Sequence, residues 1–306
     1  MLILICGDFH ITGKNPISRL DDLTETQFLK LNEIKDFANK HNCPIVSVGD
    51  FFHVPIIANS ILNRVGEILN QLDNPWYTCW GNHDTLYHSV ELANRTSLGV
   101  LLTNHPKIKH ITKFKNDYGV SFDYTDWDTP TKENNSKFLL SHKAIISEKQ
   151  SKSNFWIEKD ETFAKQVGKW SDKYKIIICG HWHISYRFKH NKTLIINSGP
   201  INRLTIEDNL QPSVVLLNLE TGIFKRHYLE SAKPFDEIIS AKHIIRKENN
   251  SENIKKFISA INKKRSNYDS AFMDYLMEIV DNHELDKDME ELLVNILAKT
   301  KERKNK

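Results

Sequence analysis

Three features of this 306-residue chain predict an α/β fold of two packed mixed sheets, with helices outside and a helical segment at the C-terminal end. Short apolar runs alternate with amphipathic helical patterns through the first half. Strand patterns dominate the second half, up to about residue 230. Five of the apolar runs end in Asp, Asn or His, four of them through a glycine, so chemistry-bearing side chains collect where strands finish. Open α/β sheets hold their sites in the crevice beyond the carboxyl ends of the strands.

The chain begins with the strand-like run Leu2-Ile3-Leu4-Ile5, followed by Cys6-Gly7-Asp8-Phe9-His10. Leu23, Phe28, Leu31, Ile34 and Phe37 then recur at helical spacing, and His41-Asn42-Cys43-Pro44 ends that helix. Ile45-Val46-Ser47-Val48 reads as the next strand and runs into Gly49-Asp50-Phe51-Phe52-His53. Ile57, Ile61, Val65, Ile68 and Leu72 mark a second amphipathic helix, stopped by Asp73-Asn74-Pro75. The short strand through Trp76 and Tyr77 leads into Trp80-Gly81-Asn82-His83-Asp84, where glycine permits a tight exit. Further strands are predicted over residues 118–124, 138–141, 174–179, 193–197, 213–219 and 223–229, with one helix around 160–169. Ser141-His142 and Gly180-His181-Trp182-His183 end two of these strands. After about Ala232 the glycines vanish, and apolar stripes at Ile254–Ile261, Phe272–Val280 and Met289–Ile296 predict three helices. The division is therefore a domain over 1–230 and a helical region over 231–306.

Composition narrows the class. A hydrophobic content of 40% with 26% charged residues is ordinary for a globular protein, and a net charge of +3 permits a polyanionic partner without demanding one. The four cysteines show no C-x-x-C spacing, and three lie in or beside predicted strands, which suits small buried hydrophobes in a reducing compartment. No charged leader precedes a long apolar core and no stretch is long enough to span a bilayer, so a cytoplasmic location without membrane association is expected.

The strand ends supply Asp8, His10, Asp50, Asn82, His142, His181 and His183. A pair of divalent ions needs roughly four ligands each, one of them an anionic bridge. Mixed imidazole and carboxylate donors suit Mn, Fe or Zn better than Mg or Ca alone.

Asp8-Phe9-His10, Gly49-Asp50, Gly81-Asn82-His83-Asp84, His142 and Gly180-His181-Trp182-His183 match, in order, the motifs of calcineurin-like metallophosphoesterases. The extra histidine in Gly49-Asp50-Phe51-Phe52-His53, and the run from Ile196 to Arg203 containing Ser198-Gly199, resemble the Mre11/SbcD nuclease branch. The similarity spans about residues 1–230. It implies a calcineurin-like four-layer αββα sandwich. It also implies Asp8, His10 and His183 on one ion, Asn82, His142 and His181 on the other, and Asp50 between them. His83 is then the general acid with Asp84 holding its imidazole, and His53 orients substrate near the scissile phosphate. The cofactors implied are two divalent ions, Mn²⁺ foremost, with Fe²⁺, Zn²⁺ or Mg²⁺ as alternatives. The partners implied are DNA and a Rad50/SbcC-like ATPase onto which the C-terminal stripes would dock, in a bacterium or a phage-infected cell. A homodimer through the helix over 57–72 is a further expectation, a core contact within the chain being the alternative for that helix. Two other readings share the fold: a stand-alone phosphodiesterase or phosphatase on a small phosphoester, and a non-catalytic scaffold.

Side chains beside the motifs carry expectations of their own. Trp182 is expected to pack between ligands and Phe51 and Phe52 to pack beneath the site. Lys14, Arg19, Lys143, Arg187, Lys189 and Arg203 could together make a phosphate-contacting rim.

Overall fold

The first apolar run forms β1 (Leu2–Cys6), whose alternation sends Ile3 and Ile5 to one face of a sheet and Leu4 and Cys6 to the other. The computed structural model describes residues 1–127, 129–143, 145, 173–205 and 210–240. α1 (Leu23–Lys40) starts where the Asp22 side chain accepts the Glu25 N–H, and it lays Phe28, Leu31 and Ile34 on the Leu4 face. β2 (Ile45–Ser47) and β3 (Trp76–Thr78) follow, separated by α2 (Asn59–Asn70). The apolar stripe of α2, including Ile61, Val65 and Ile68, is buried in the same core, so this stripe covers the chain's own sheet.

β1, β2, β3 and β4 (Ile108–His110) run parallel, and β10 (Ser213–Asn218) and β11 (Phe224–Tyr228) add antiparallel strands beside β1. The sheet order is β11-β10-β1-β2-β3-β4. The second sheet contains β5 (Asp123–Thr125), β6 (Phe138–Ser141), β7 (Ile176–Cys179), β8 (Tyr186–His190) and β9 (Thr193–Asn197), in the order β5-β6-β7-β9-β8. Ile3, Ile5, Val46 and Tyr77 meet Leu140, Ile176, Ile178 and Ile196 in the layer between the sheets. The fold is thus the expected α/β sandwich of two mixed sheets. Strands β1, β2, β3, β6 and β7 all end at one edge, and that edge carries the polar motifs.

Several elements depart from expectation. The strand predicted over 118–124 is a helix end followed by a late strand. α3 (Ser97–Asn104) precedes β4, and α4 (Phe114–Tyr118) closes on Gly119 at φ 71°, a left-handed helix cap. Tyr118, Val120 and Phe122 look strand-forming because they are aromatic or branched, but they feed the inter-sheet core from a helix end and a loop. β8 escaped notice because Arg187 and Lys189 fill its outward positions. The helix predicted around 160–169 and the stripes over 254–296 lie outside the described residues.

The first body continues past Leu229. α5 (Phe235–Ile238) buries Ile238, and the Leu20 N–H donates to the Ile238 carbonyl at 2.9 Å while the Ser240 N–H donates to Ser18 at 2.9 Å. Among the described residues no helix is long and apolar enough to cross a membrane.

Behind this junction, Arg19 and Arg203 are buried rather than exposed on a phosphate rim. Arg19 grips Asp21 through Nε and Nη2 at 2.8 and 2.9 Å and donates to the Arg203 carbonyl at 2.9 Å. Arg203 donates to the carbonyls of Leu210 and Lys233. Lys30 Nζ donates to the Ile201 carbonyl at 2.9 Å and to Asn202 Oδ1 at 2.7 Å, which ties α1 to the segment behind Asp8. Burial, then the Arg19 and Arg203 charges, push the Lys30 ammonium down to about 7 from its ordinary 10.5. Between those two values the unfolded chain holds a proton that the folded chain lacks, so stability rises with pH through that window. Relative to Lys30→Met, the wild type should gain about 1 kcal/mol per pH unit between pH 7.5 and 9 in denaturant unfolding. A pH-independent difference between the two proteins would contradict this account.

Candidate metal centre

The strand ends converge because their backbones interlock. The N–H groups of Phe9 and His10 both donate to the Asp50 carbonyl, at 3.0 and 2.8 Å, and the Ile11 N–H donates to Phe51 at 3.0 Å. This pairing extends the β1–β2 ladder past the motifs. His10, Asp50 and His181 adopt left-handed backbone angles, φ 48°, 47° and 68°. For residues with a Cβ this costs about 1–2 kcal/mol each, a strain that clusters at functional sites. At Gly81 a Cβ would lie 2.1 Å from Asp50 Oδ1 and 2.2 Å from the Asp50 nitrogen, so the β3 exit touches Asp50 directly. Gly81→Ala is therefore expected to displace Asp50, lowering stability by about 1–3 kcal/mol and weakening divalent-cation binding. Thermal melts with and without Mn²⁺ check this, and unchanged metal-induced stabilisation would contradict it.

Asp50 stands at the middle. Its Oδ1 accepts the His83 backbone N–H at 2.9 Å, and its Oδ2 lies 3.3 Å from His142 Nε2 and 3.5 Å from His10 Nε2. His10 Nε2 faces His183 Nε2 at 2.9 Å. On the other side, Asn82 Oδ1 lies 3.0 Å from His142 Nε2 and 3.1 Å from His181 Nδ1. Asp8 Oδ1 accepts the His181 N–H at 3.0 Å, and its buried Oδ2 has no hydrogen-bond partner among the described residues. Three ligand groups result, Asp8–His10–Asp50, Asp50–His142–His181 and His10–His53–His83, each with its donor atoms within 4.8 Å of one another. Asp50 belongs to the first two, and the third meets them through His10.

Electrostatics favours a cation here. Burial and the neighbouring imidazoles push His181 down to about 4, and burial pulls His10 well below its ordinary value, so both present neutral nitrogens near pH 7. Complete burial opposes a charge on His142, yet Asp50 and Asp8 carry it up to about 9. Burial likewise opposes ionisation of Asp50, but His142 and His10 hold its carboxyl well below the usual carboxylate range. A potential that retains a proton on a wholly buried imidazole also attracts a metal ion. His142 Nδ1 donates to the Val48 carbonyl at 2.6 Å, which leaves Nε2 as the ligand atom. Two imidazole nitrogens facing each other beside an unpartnered carboxylate oxygen fit a divalent ion.

His53 and His83 lie beside this cluster, both half-buried. His83 Nδ1 donates to the His53 carbonyl at 2.8 Å, and the two rings stack 5.2 Å apart at 18°. The expectation that Asp84 holds the His83 imidazole is corrected. Asp84 points inward, accepting the Phe52 N–H and the Gly81 N–H at 3.1 Å each, and so ties the β2 and β3 exits together. Burial and the Asp50 charge push its carboxyl up to about 7. Phe51 and Phe52 pack in the core beneath, and Trp182 packs beside Tyr186. Arg187 lies over the Phe224 ring at 4.2 Å.

One contributor was missed. Trp127 places its ring 4.9 Å from the His181 ring and 6.2 Å from that of His142, and its N–H donates to the Trp80 carbonyl at 2.9 Å. Asp126 accepts the Trp80 N–H at 2.8 Å and meets His110 Nε2 at 3.1 Å. The signal was present, since Asp126-Trp127 follows β5 as the other motifs follow their strands, but no glycine marks the turn.

A fold of two sandwiched sheets with a carboxylate shared between two imidazole-containing ligand groups defines a class, the metal-dependent phosphoester hydrolases. The chain belongs to the calcineurin-like phosphoesterase superfamily, whose domain model matches residues 1–222. Solved structures similar to it include an archaeal phosphodiesterase, 16% identical over 75% of this chain and 100% of that one, with a TM-score of 0.39. A hypothetical protein from Thermus thermophilus is 12% identical, covering 75% and 99% of the two chains, at 0.42. Vps29 from Entamoeba histolytica complexed with zinc is 14% identical, covering 76% and 99%, at 0.33. No curated protein matches the chain.

Proposed function

We propose that this protein is a dinuclear-metal-dependent DNA nuclease, the Mre11/SbcD-like subunit of a Rad50/SbcC-type repair or recombination complex. The observation that carries the reading is the stacked His53–His83 pair at the rim of a site in which Asp50 serves two ligand groups. Asp8, His10 and His183 would hold one divalent ion, and Asn82, His142 and His181 the other, with Asp50 common to both and Mn²⁺ the favoured metal. Such ions, when bound, lower the pKa of water and neutralise charge on phosphoryl oxygens.

The chain's own residues supply the rest. His83, its Nδ1–H fixed on the His53 carbonyl, carries at Nε2 the proton that the leaving alkoxide oxygen requires. The His83 backbone N–H on Asp50 Oδ1 keeps that imidazole in register with the metal ligands. The His53 imidazole stands beside it to orient a phosphate oxygen. Trp127 packs its ring 4.9 Å from that of His181 and so helps to fix the imidazole. Val54, Ile56 and Tyr87, exposed on the loops that follow His53 and His83, suit contact with a polymer. The apolar stripes over 254–296 support docking on a helical partner, the ATPase.

End-labelled duplex and single-stranded DNA, incubated with Mn²⁺ beside a simple aryl phosphodiester, test the reading. Cleavage of DNA that stops on chelation is expected. Hydrolysis of the ester with both DNA forms intact would overturn the nuclease and leave the small-substrate phosphodiesterase.

A further inference from the structure

The turn beyond Asn82 and His83 carries an aromatic side chain that the proposed chemistry does not use. Tyr87 is 89% exposed, and both Tyr87 and His88 occupy the left-handed region, at φ 53° and 56°. A bulky residue there is a true backbone outlier. The turn is held against this cost by His88 Nδ1, 3.2 Å from the Asn82 carbonyl, and by the Ser89 N–H, which donates to the Leu86 carbonyl at 2.9 Å. It is therefore anchored to Asn82, whose side chain belongs to the metal cluster. The contact of His83 with the His53 carbonyl clasps a second loop alongside, on which Val54 and Ile56 are also exposed.

A lone exposed apolar residue is ordinary. Here an aromatic ring and two aliphatic side chains stand in water on the two loops that carry His83 and His53. No packing repays the strain at Tyr87, because its ring is almost wholly uncovered. Strain of this kind persists at ligand clamps. The ring's chemistry selects the ligand: a flat, sequence-tolerant π surface beside a phosphodiester site matches a nucleobase.

We propose that Tyr87 stacks on the nucleobase adjoining the scissile phosphate, and so favours nucleic-acid phosphodiesters over simple esters. This rests on the nuclease reading above. Stacking of one base on one aromatic ring is commonly worth about tenfold or more.

The test uses the full chain with Mn²⁺ and single-stranded oligonucleotides, either intact or abasic at the nucleotides flanking the cut. Tyr87→Ala should lower kcat/KM on the intact strand about tenfold, and Tyr87→Phe should keep it within about twofold. On the abasic strand the wild type and Tyr87→Ala should be equal. As a readout independent of turnover, 2-aminopurine at the flanking position should be quenched on binding His83→Ala and not on binding the His83→Ala, Tyr87→Ala double variant. Equal activity of Tyr87→Ala and wild type on the intact strand, or an equal loss on both strands, overturns the proposal. If the wild type cuts no oligonucleotide, the nuclease reading falls. The quench then decides for or against Tyr87 alone.

Discussion

Replacing His83 with alanine is expected to lower turnover on DNA by about 10²–10⁴-fold while leaving metal content unchanged. The separation follows from geometry. The backbone N–H of residue 83, which survives the substitution, makes the 2.9 Å contact to Asp50 Oδ1. The imidazole lies outside the two groups that contain Asp50; it sits edge-on to the His10 ring at 4.6 Å, and its Nδ1 is committed to the His53 carbonyl. The deficit should also depend on the leaving group. An alkoxide leaving from DNA needs a proton, whereas a nitrophenolate departs without one, so an aryl diester should lose far less activity than DNA. Rate measurements on both substrates, with metal analysis of each protein, check this. A variant that has lost a metal would show that His83 is a ligand, and an equal loss on both substrates would remove its role as acid.

Asp50→Asn is expected to have the larger effect on composition, emptying both metal positions where His83→Ala empties neither. Asn preserves the shape and can still accept the His83 N–H, but it removes the carboxylate common to the Asp8–His10 and His142–His181 groups. His142 would also lose the carboxylate that, against complete burial, does most to raise it to about 9. Metal analysis after dialysis should give less than one ion per chain, with turnover below that of His83→Ala. Retention of one full equivalent would mean that Asp50 serves a single ion.

Much of this site was legible in the sequence because its logic is local. An apolar run, a tight turn and a polar residue can be read off consecutive positions, and Asp8, Asp50, Asn82, His142 and His181 meet because parallel strands end at one edge. What resisted reading depended on direction or on backbone atoms. Asp84 follows His83, yet neighbouring side chains in a turn diverge, and Asp84 turns inward to two N–H groups. The partner that holds the His83 ring is a carbonyl at residue 53, which leaves no trace in side-chain chemistry. Arg19, Lys30 and Arg203 show the converse. Lysine and arginine are read as surface residues on composition, and only the carbonyls brought to them by distant segments make their burial tolerable. The strand expected at 118–124 failed for a related reason: aromatic and branched side chains mark burial, and burial there is reached from a helix end.

The central claim, a two-ion site built around Asp50, is tested most directly by calorimetric titration of the metal-free full chain with Mn²⁺. Two equivalents per chain are expected, with hydrolysis of an aryl phosphodiester rising until the second is bound. Saturation at one equivalent, or hydrolysis that persists under chelation, would contradict it.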